Sequence, residues 1–208
     1  MAVASLSKLS VALPPGQSAS NQGLLMPKLS YRFRVTLTNF GVTSPTTELT
    51  KQVMNCTRPE VTWENVVLDV YNSKVKIAGK YTWSDITLVV RDDATNAVSR
   101  LVGEQVQKQF DFFEQASAAS GIDYKFTANI ELLDGGNGAY EPNVLENFEL
   151  LGAWITKVTY KGVDYKSSDP LDITMTISFD NANQLDAAGN PVGIGTNVGR
   201  TTRTLATG

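Results

Sequence analysis

Three long stretches of the chain alternate strictly between apolar and polar residues. Tyr31, Phe33, Val35 and Leu37 alternate with Arg32, Arg34, Thr36 and Thr38. Ile122, Tyr124, Phe126, Ala128, Ile130 and Leu132 alternate with Asp123, Lys125, Thr127, Asn129 and Glu131. Leu171, Ile173, Met175, Ile177 and Phe179 alternate with Asp172, Thr174, Thr176, Ser178 and Asp180. A period of two puts one side-chain set on each face of a strand, so each stretch predicts an antiparallel strand with one buried and one wetted face.

Other stretches are apolar on both faces. Val61 to Tyr71, Trp83 to Val90 and Leu150 to Tyr160 read as strands lying between two layers or at a subunit seam. Turn signals separate them, at Asn39-Phe40-Gly41, Arg58-Pro59, Ala78-Gly79, Ser168-Asp169-Pro170 and the loop Asp134-Gly135-Gly136-Asn137-Gly138. Only one segment has helical spacing, about 95–118. Val98, Leu101, Val102, Val106, Phe110 and Phe113 form its apolar stripe, Asp92, Asp93 and Thr95 offer capping oxygens, and Gly121 is the expected stop. The predicted fold is mainly β, two packed antiparallel sheets in a sandwich or barrel with one flanking helix. Residues 1–26, rich in Pro, Ser and Gly, predict an extended N-terminal arm. The β domain covers 27–180, and the Asn-, Gly- and Thr-rich 181–208 predict a flexible C-terminal extension.

Composition then removes chemistry. The 208 residues contain no His and one Cys, which excludes Ser-His-Asp and Cys-His catalysis, imidazole metal sites and an intrachain disulfide. Cys56 reads as a small buried hydrophobe. Eighteen basic against 21 acidic side chains leave a net charge of −3, so any nucleic acid is met loosely. No phosphate-binding glycine motif occurs, the adjacent Asp92 and Asp93 read as a helix cap rather than a metal pair, and Asp180-Asn181-Ala182-Asn183 lacks the glycine and glutamate of a calcium loop. No apolar run approaches the ~20 residues of a membrane-spanning helix. No catalytic, cofactor-binding or metal residue is expected; the positive features are all architectural.

Several blocks, taken in order, resemble one family. They are Met26-Pro27-Lys28-Leu29-Ser30-Tyr31-Arg32-Phe33-Arg34-Val35, Tyr71-Asn72-Ser73-Lys74-Val75-Lys76-Ile77-Ala78-Gly79-Lys80-Tyr81-Thr82-Trp83, Ile86 to Asp93, Leu151-Gly152-Ala153-Trp154-Ile155-Thr156, and Asp164-Tyr165 with Leu171 to Asp180. Together, over about residues 26–182, they resemble the tail tube protein of contractile-tailed bacteriophages. Ile155 stands where that family often has proline.

The resemblance implies a virion structural protein, assembled in the host cytoplasm. Six subunits form a ring in which sheets join edge to edge, and rings stack into a hollow tube inside a contractile sheath. Its implied partners are further copies of itself, the sheath protein, baseplate and tail terminator proteins, a tape measure protein in the lumen, and double-stranded DNA passing loosely through. On this reading Asp172, Thr174, Thr176 and Ser178 are candidate lumen-lining residues. Asn72, Lys74, Lys76 and Lys80 are candidate inter-subunit or inter-ring contacts, the lysines meeting acidic groups such as Glu141, Glu146 or Glu149. Residues 1–25 and Gly41 to Leu49 are further stacking candidates. Six copies at −3 each carry −18, and a lumen of that sign lets DNA slide. Two alternatives stay open: the tube of a related secretion or injection machine, and a monomeric β-sandwich binding module.

Overall fold

A computed structural model describes residues 5–10, 23–25, 27–42, 46–135 and 141–196. The chain divides into two units, 1–32 and 33–208. In the first, β1 (Ser5–Ser10) pairs antiparallel with β2 (Gly23–Leu25). The rest of the predicted arm at 1–4, 11–22 and 26 lies outside the described residues, as does the part of the predicted C-terminal extension at 197–208.

The second unit holds the core. Its elements are β3 (Phe33–Thr38), α1 (Thr47–Lys51), β4 (Val53–Cys56), β5 (Glu60–Val70), β6 (Ser73–Ser84), β7 (Ile86–Arg91), α2 (Ala97–Gln109), β8 (Phe110–Asp111), β9 (Ala116–Ser117), β10 (Phe126–Leu133), β11 (Val144–Tyr160), β12 (Asp172–Ser178) and β13 (Asn181–Leu185). All pairings are antiparallel. The strands follow the order β3-β10-β11-β12-β7-β4, and β13 also pairs with β11.

The 17-residue β11 joins two sheets. Up to Ala153 it lies between β10 and β13; from Trp154 onward it pairs with β12. The switch falls at Gly152, whose φ of +66° a side chain disfavours. One sheet is therefore β3-β10-β11-β13 and the other β4-β7-β12-β11. The apolar half of each alternation meets in one core: Val35, Leu37, Ala128 and Ile130 from the first sheet, Leu88, Val90, Met175 and Ile177 from the second.

Helix α2 packs on this core through Val98, Leu101 and Val102. Its glutamines do as much as its apolar stripe. The buried Gln105 accepts from Gly41 N at 2.9 Å and donates to Tyr124 O at 2.6 Å. At the N-terminus Asn96 adopts a left-handed conformation with no side-chain cap, and Asp93 does the capping, accepting from Val98 N at 2.9 Å.

Four expectations need correction. The helix stops at Gln109, not 118: Phe110 is extended, 110–117 form the β8–β9 hairpin, and Phe113 stands 90% exposed. Gly121 opens a 3-10 turn, Gly121–Asp123, instead of ending a helix. The β structure runs past 180, because β13 pairs with β11 from Asn181 to Leu185. Of the two readings given for Val61 to Tyr71, burial between layers of the chain is overturned, since its residues are exposed from 62 onward, and the subunit seam is the one that stands.

Candidate functional site

The surface that most needs explaining is the β5–β6 ribbon. Residues 62–78 are all exposed. Cross-strand pairs sort its outer half into two faces. Val66 lies opposite Ile77, Leu68 opposite Val75 and Val70 opposite Ser73, giving an apolar face. Asn65 opposite Ala78, Val67 opposite Lys76 and Asp69 opposite Lys74 make the other, more polar face. A bulge between Trp63 and Asn65 offsets the ribbon, and Gly79 fits it: a Cβ there would sit 3.1 Å from Glu64 O. A two-stranded ribbon is marginal alone in water, and a continuous exposed apolar face marks an interaction surface.

The predicted contact residues Asn72, Lys74, Lys76 and Lys80 all lie on this ribbon. Lys74 and Lys76 lie off its apolar face. Lys74 Nζ sits 3.4 Å from Asp69 across the same hairpin, and Lys76 belongs to the polar face. Of the acidic partners suggested for them, Glu146 is 5% exposed and engaged within its own subunit. Arg58 Nη2 approaches it at 3.4 Å, Gln184 Nε2 donates to it, and the Arg58 guanidinium lies 5.0 Å from the Phe148 ring centre. Of the Gly41 to Leu49 stacking loop, 43–45 lie outside the described residues.

The predicted lumen-lining residues Asp172, Thr174, Thr176 and Ser178 do share one face of β12, half-buried and alternating with buried Ile173, Met175 and Ile177. Neighbouring strands add Lys157, paired with Thr176, Thr159, paired with Thr174, and Arg91, paired with Asp172. The first sheet presents a second polar face that the sequence reading did not single out. Thr36 faces Asn129, Asn129 faces Glu149, and Glu149 faces Asn183 across all four strands. The next row contains Arg34 and Glu131, joined at 2.5 Å.

No group of His, Cys, Asp or Glu among the described residues is arranged to hold a metal ion. Cys56 packs against the core, and burial pushes its thiol up to about 12. It is a poor nucleophile at neutral pH. Among the described residues, no helix is long and apolar enough to cross a membrane.

No protein-family model matches the chain, and no curated protein matches it. Solved structures do. A chain of the anti-feeding prophage baseplate superposes with a TM-score of 0.55 at 15% identity, covering 78% of this chain and 97% of that one. A chain of the anti-feeding prophage tube-terminating cap gives 0.55 at 16%, covering 87% and 98%. A chain of the extended sheath–tube complex of the PVC extracellular contractile injection system gives 0.55 at 17%, covering 82% and 99%. The fold is tail-tube-like. The likeness spans nearly the whole of those chains, and it is a likeness of fold.

Proposed function

We propose that the chain is a structural subunit of the tube in a contractile injection apparatus, forming rings that stack into a hollow conduit. The observation that carries this is the fold shared with chains of the baseplate, the cap and the sheath–tube complex of such machines. The exposed ribbon supports it, since an amphipathic two-stranded arm is understandable in a subunit and hard to account for in a monomer. On this reading the chain's partners are its own copies, a sheath, a baseplate and a terminating cap, and its role involves no catalysis.

These likenesses favour an injection machine over a DNA-delivering phage tail, the function first expected. In either setting the β5–β6 ribbon, which carries Asn72 to Lys80, contacts a neighbouring copy, and it does so through Val66, Leu68, Val75 and Ile77 rather than through the lysines.

Negative-stain electron microscopy of the purified protein, concentrated across a salt series with and without a baseplate seed, tests the proposal. Rings or tubes are expected. Featureless monomers under every condition, seed included, overturn it in favour of a binding module.

A further inference from the structure

Helix α2 has an exposed aromatic feature at each end. At its C-terminus the β8–β9 hairpin pairs Phe110 with Ser117 and Asp111 with Ala116. Side chains hold its turn. Asp111 Oδ1 accepts from Phe113 N at 2.9 Å, from Glu114 N at 3.3 Å and from Gln107 Nε2 at 2.8 Å, and Gln107 Oε1 accepts from Phe112 N at 3.4 Å. The pinned turn aims two rings at water: Phe112 is 61% exposed and Phe113 90%. Pinning lowers the entropy lost when such a residue is covered.

At the other end of α2 lies the loop 161–171, between β11 and β12. Asp92 N donates to its Leu171 O at 3.0 Å, beside the Asp93 that caps the helix. Lys161 N closes the stem on Asp172 O at 3.1 Å, and Asp164 Oδ1 accepts from Lys166 N at 3.0 Å. Val163, Asp164 and Tyr165 line an open hollow of about 240 Å³, Val163 and Tyr165 both exposed. A cavity of ~150 Å³ already holds benzene, so the hollow admits one phenyl ring.

The two features are far apart. Thirteen helical residues set them roughly 20 Å from each other. Strand β11 gives a similar measure. The Gln109 amide brackets Ile155, whose N donates to Oε1 and whose O accepts from Nε2, each at 2.9 Å; from there to Tyr160 the strand runs roughly 17 Å. Turn and hollow cannot meet within one chain. Between two copies they make a heterologous contact, which repeats in one direction without closing on itself.

Charge matches the shapes. Among the described residues, neither the Glu114 carboxylate beside Phe113 nor the Lys166 ammonium beside Tyr165 has a partner. The loop's own acids are occupied within it, Asp164 by Lys166 N and Asp169 by the Ser167 hydroxyl. One patch therefore offers aromatic rings and a free anion, the other an aromatic hollow and a free cation.

Granting the tube reading above, we infer that the Phe112–Phe113 turn of one copy seats in the Val163–Tyr165 hollow of the next, with Glu114 paired to Lys166 of that second copy. This contact uses neither strand of the β5–β6 ribbon, so it is a separate surface between subunits.

A disulfide tests it. Glu114→Cys with Lys166→Cys keeps both aromatic patches, and the distance between them forbids a bridge within one chain. The parent, carrying only Cys56 with its thiol pushed up to about 12 by burial, sets the background. In tubes checked by microscopy and then oxidised, the paired cysteines should link copies head to tail, giving a ladder of multimers on a denaturing gel at least tenfold above that background. Either cysteine alone should give none. Intact tubes that yield only monomer bands, or as many multimers from one cysteine as from two, overturn the inference, leaving the tube reading intact and the hairpin to another partner. If the paired cysteines prevent assembly, Phe113→Ser decides. It should leave the circular dichroism of the free subunit unchanged and raise the concentration needed for tubes at least tenfold; assembly at the parent's concentration overturns the inference. Failure of the parent to assemble with a seed overturns the tube reading itself, and the inference with it.

Discussion

Gly152 is the hinge on which β11 passes from one sheet to the other. Its φ is +66°, and a Cβ placed there would lie 2.2 Å from Asp180 Oδ2. Asp180 is the far end of a side chain and can swing aside, at the loss of its 2.6 Å pair with Lys125, and such exposed pairs contribute little. The backbone term dominates. Gly152→Ala should cost about 1–2 kcal/mol and lower the thermal midpoint by several degrees in calorimetry. An unchanged midpoint would mean that the bend does not depend on this conformation. Asp93 is the other single residue with a clear consequence. Its carboxylate accepts from the Thr95 hydroxyl and from Val98 N, which holds its pKa near 2 against an ordinary 3.8. A depressed carboxylate contributes stability that is complete above 3.8 and lost as pH falls towards 2. Asp93→Asn should therefore melt below the parent at pH 6, with the gap closing as pH approaches 2. A gap constant over that range would show that the ionised cap contributes nothing.

Among the elements, the β5–β6 ribbon separates folding from assembly. Its outer half touches water along both strands, so Leu68→Asp with Val75→Lys, an opposite-charge cross-strand pair, should leave monomer stability within about 0.5 kcal/mol of the parent. The same pair should abolish ring formation seen by microscopy, whereas Lys74→Ala with Lys76→Ala should leave rings intact. The reverse pattern would put the contact on the polar face. This element also shows where legibility ended. Period-two patterning located β3, β10 and β12 and the buried faces within them, because one-sided burial writes itself directly into alternation; it overran at the head of each run, where Tyr31, Ile122 and Leu171 are exposed and lie before the strand begins. The ribbon carries apolar residues that nothing in the chain covers, and a single sequence does not distinguish such a surface from burial between layers. The helix was overrun at its C-terminus for a related reason. Phe110 and Phe113 continue the helical spacing, but Asp111 captures the main-chain N–H groups of Phe113 and Glu114 and turns the chain into β8–β9. The amides of the buried Gln105 and the half-buried Gln109, which dock α2 to loops and a strand edge, left no periodic signal. Nor did the partnership of Glu146 with Arg58 and Gln184. The four-strand polar row was equally hidden, since Thr36, Asn129, Glu149 and Asn183 are brought together only by register.

For the whole molecule, the size of each contact decides how assembly proceeds. A stable pairwise interface generally buries more than about 1,000 Å². The apolar ribbon face shown by Val66, Leu68, Val75 and Ile77 is narrow. Two subunits meeting by that face alone should separate readily. A closed ring changes the arithmetic, because the last contact forms within one particle at high effective concentration, and a stacked ring adds ribbon contacts in register. Assembly of this kind is cooperative: dimers and trimers are disfavoured relative to both monomer and complete ring. Heterologous contacts that repeat along an axis then extend the ring into a tube without a fixed end. Sedimentation velocity over a concentration series should therefore show monomer and a large species exchanging population, with little between them, and a baseplate seed should lower the concentration at which the large species appears. A smooth ladder of dimers, trimers and tetramers would show instead that a single contact is strong enough alone. The ring would then not be needed to hold its members together.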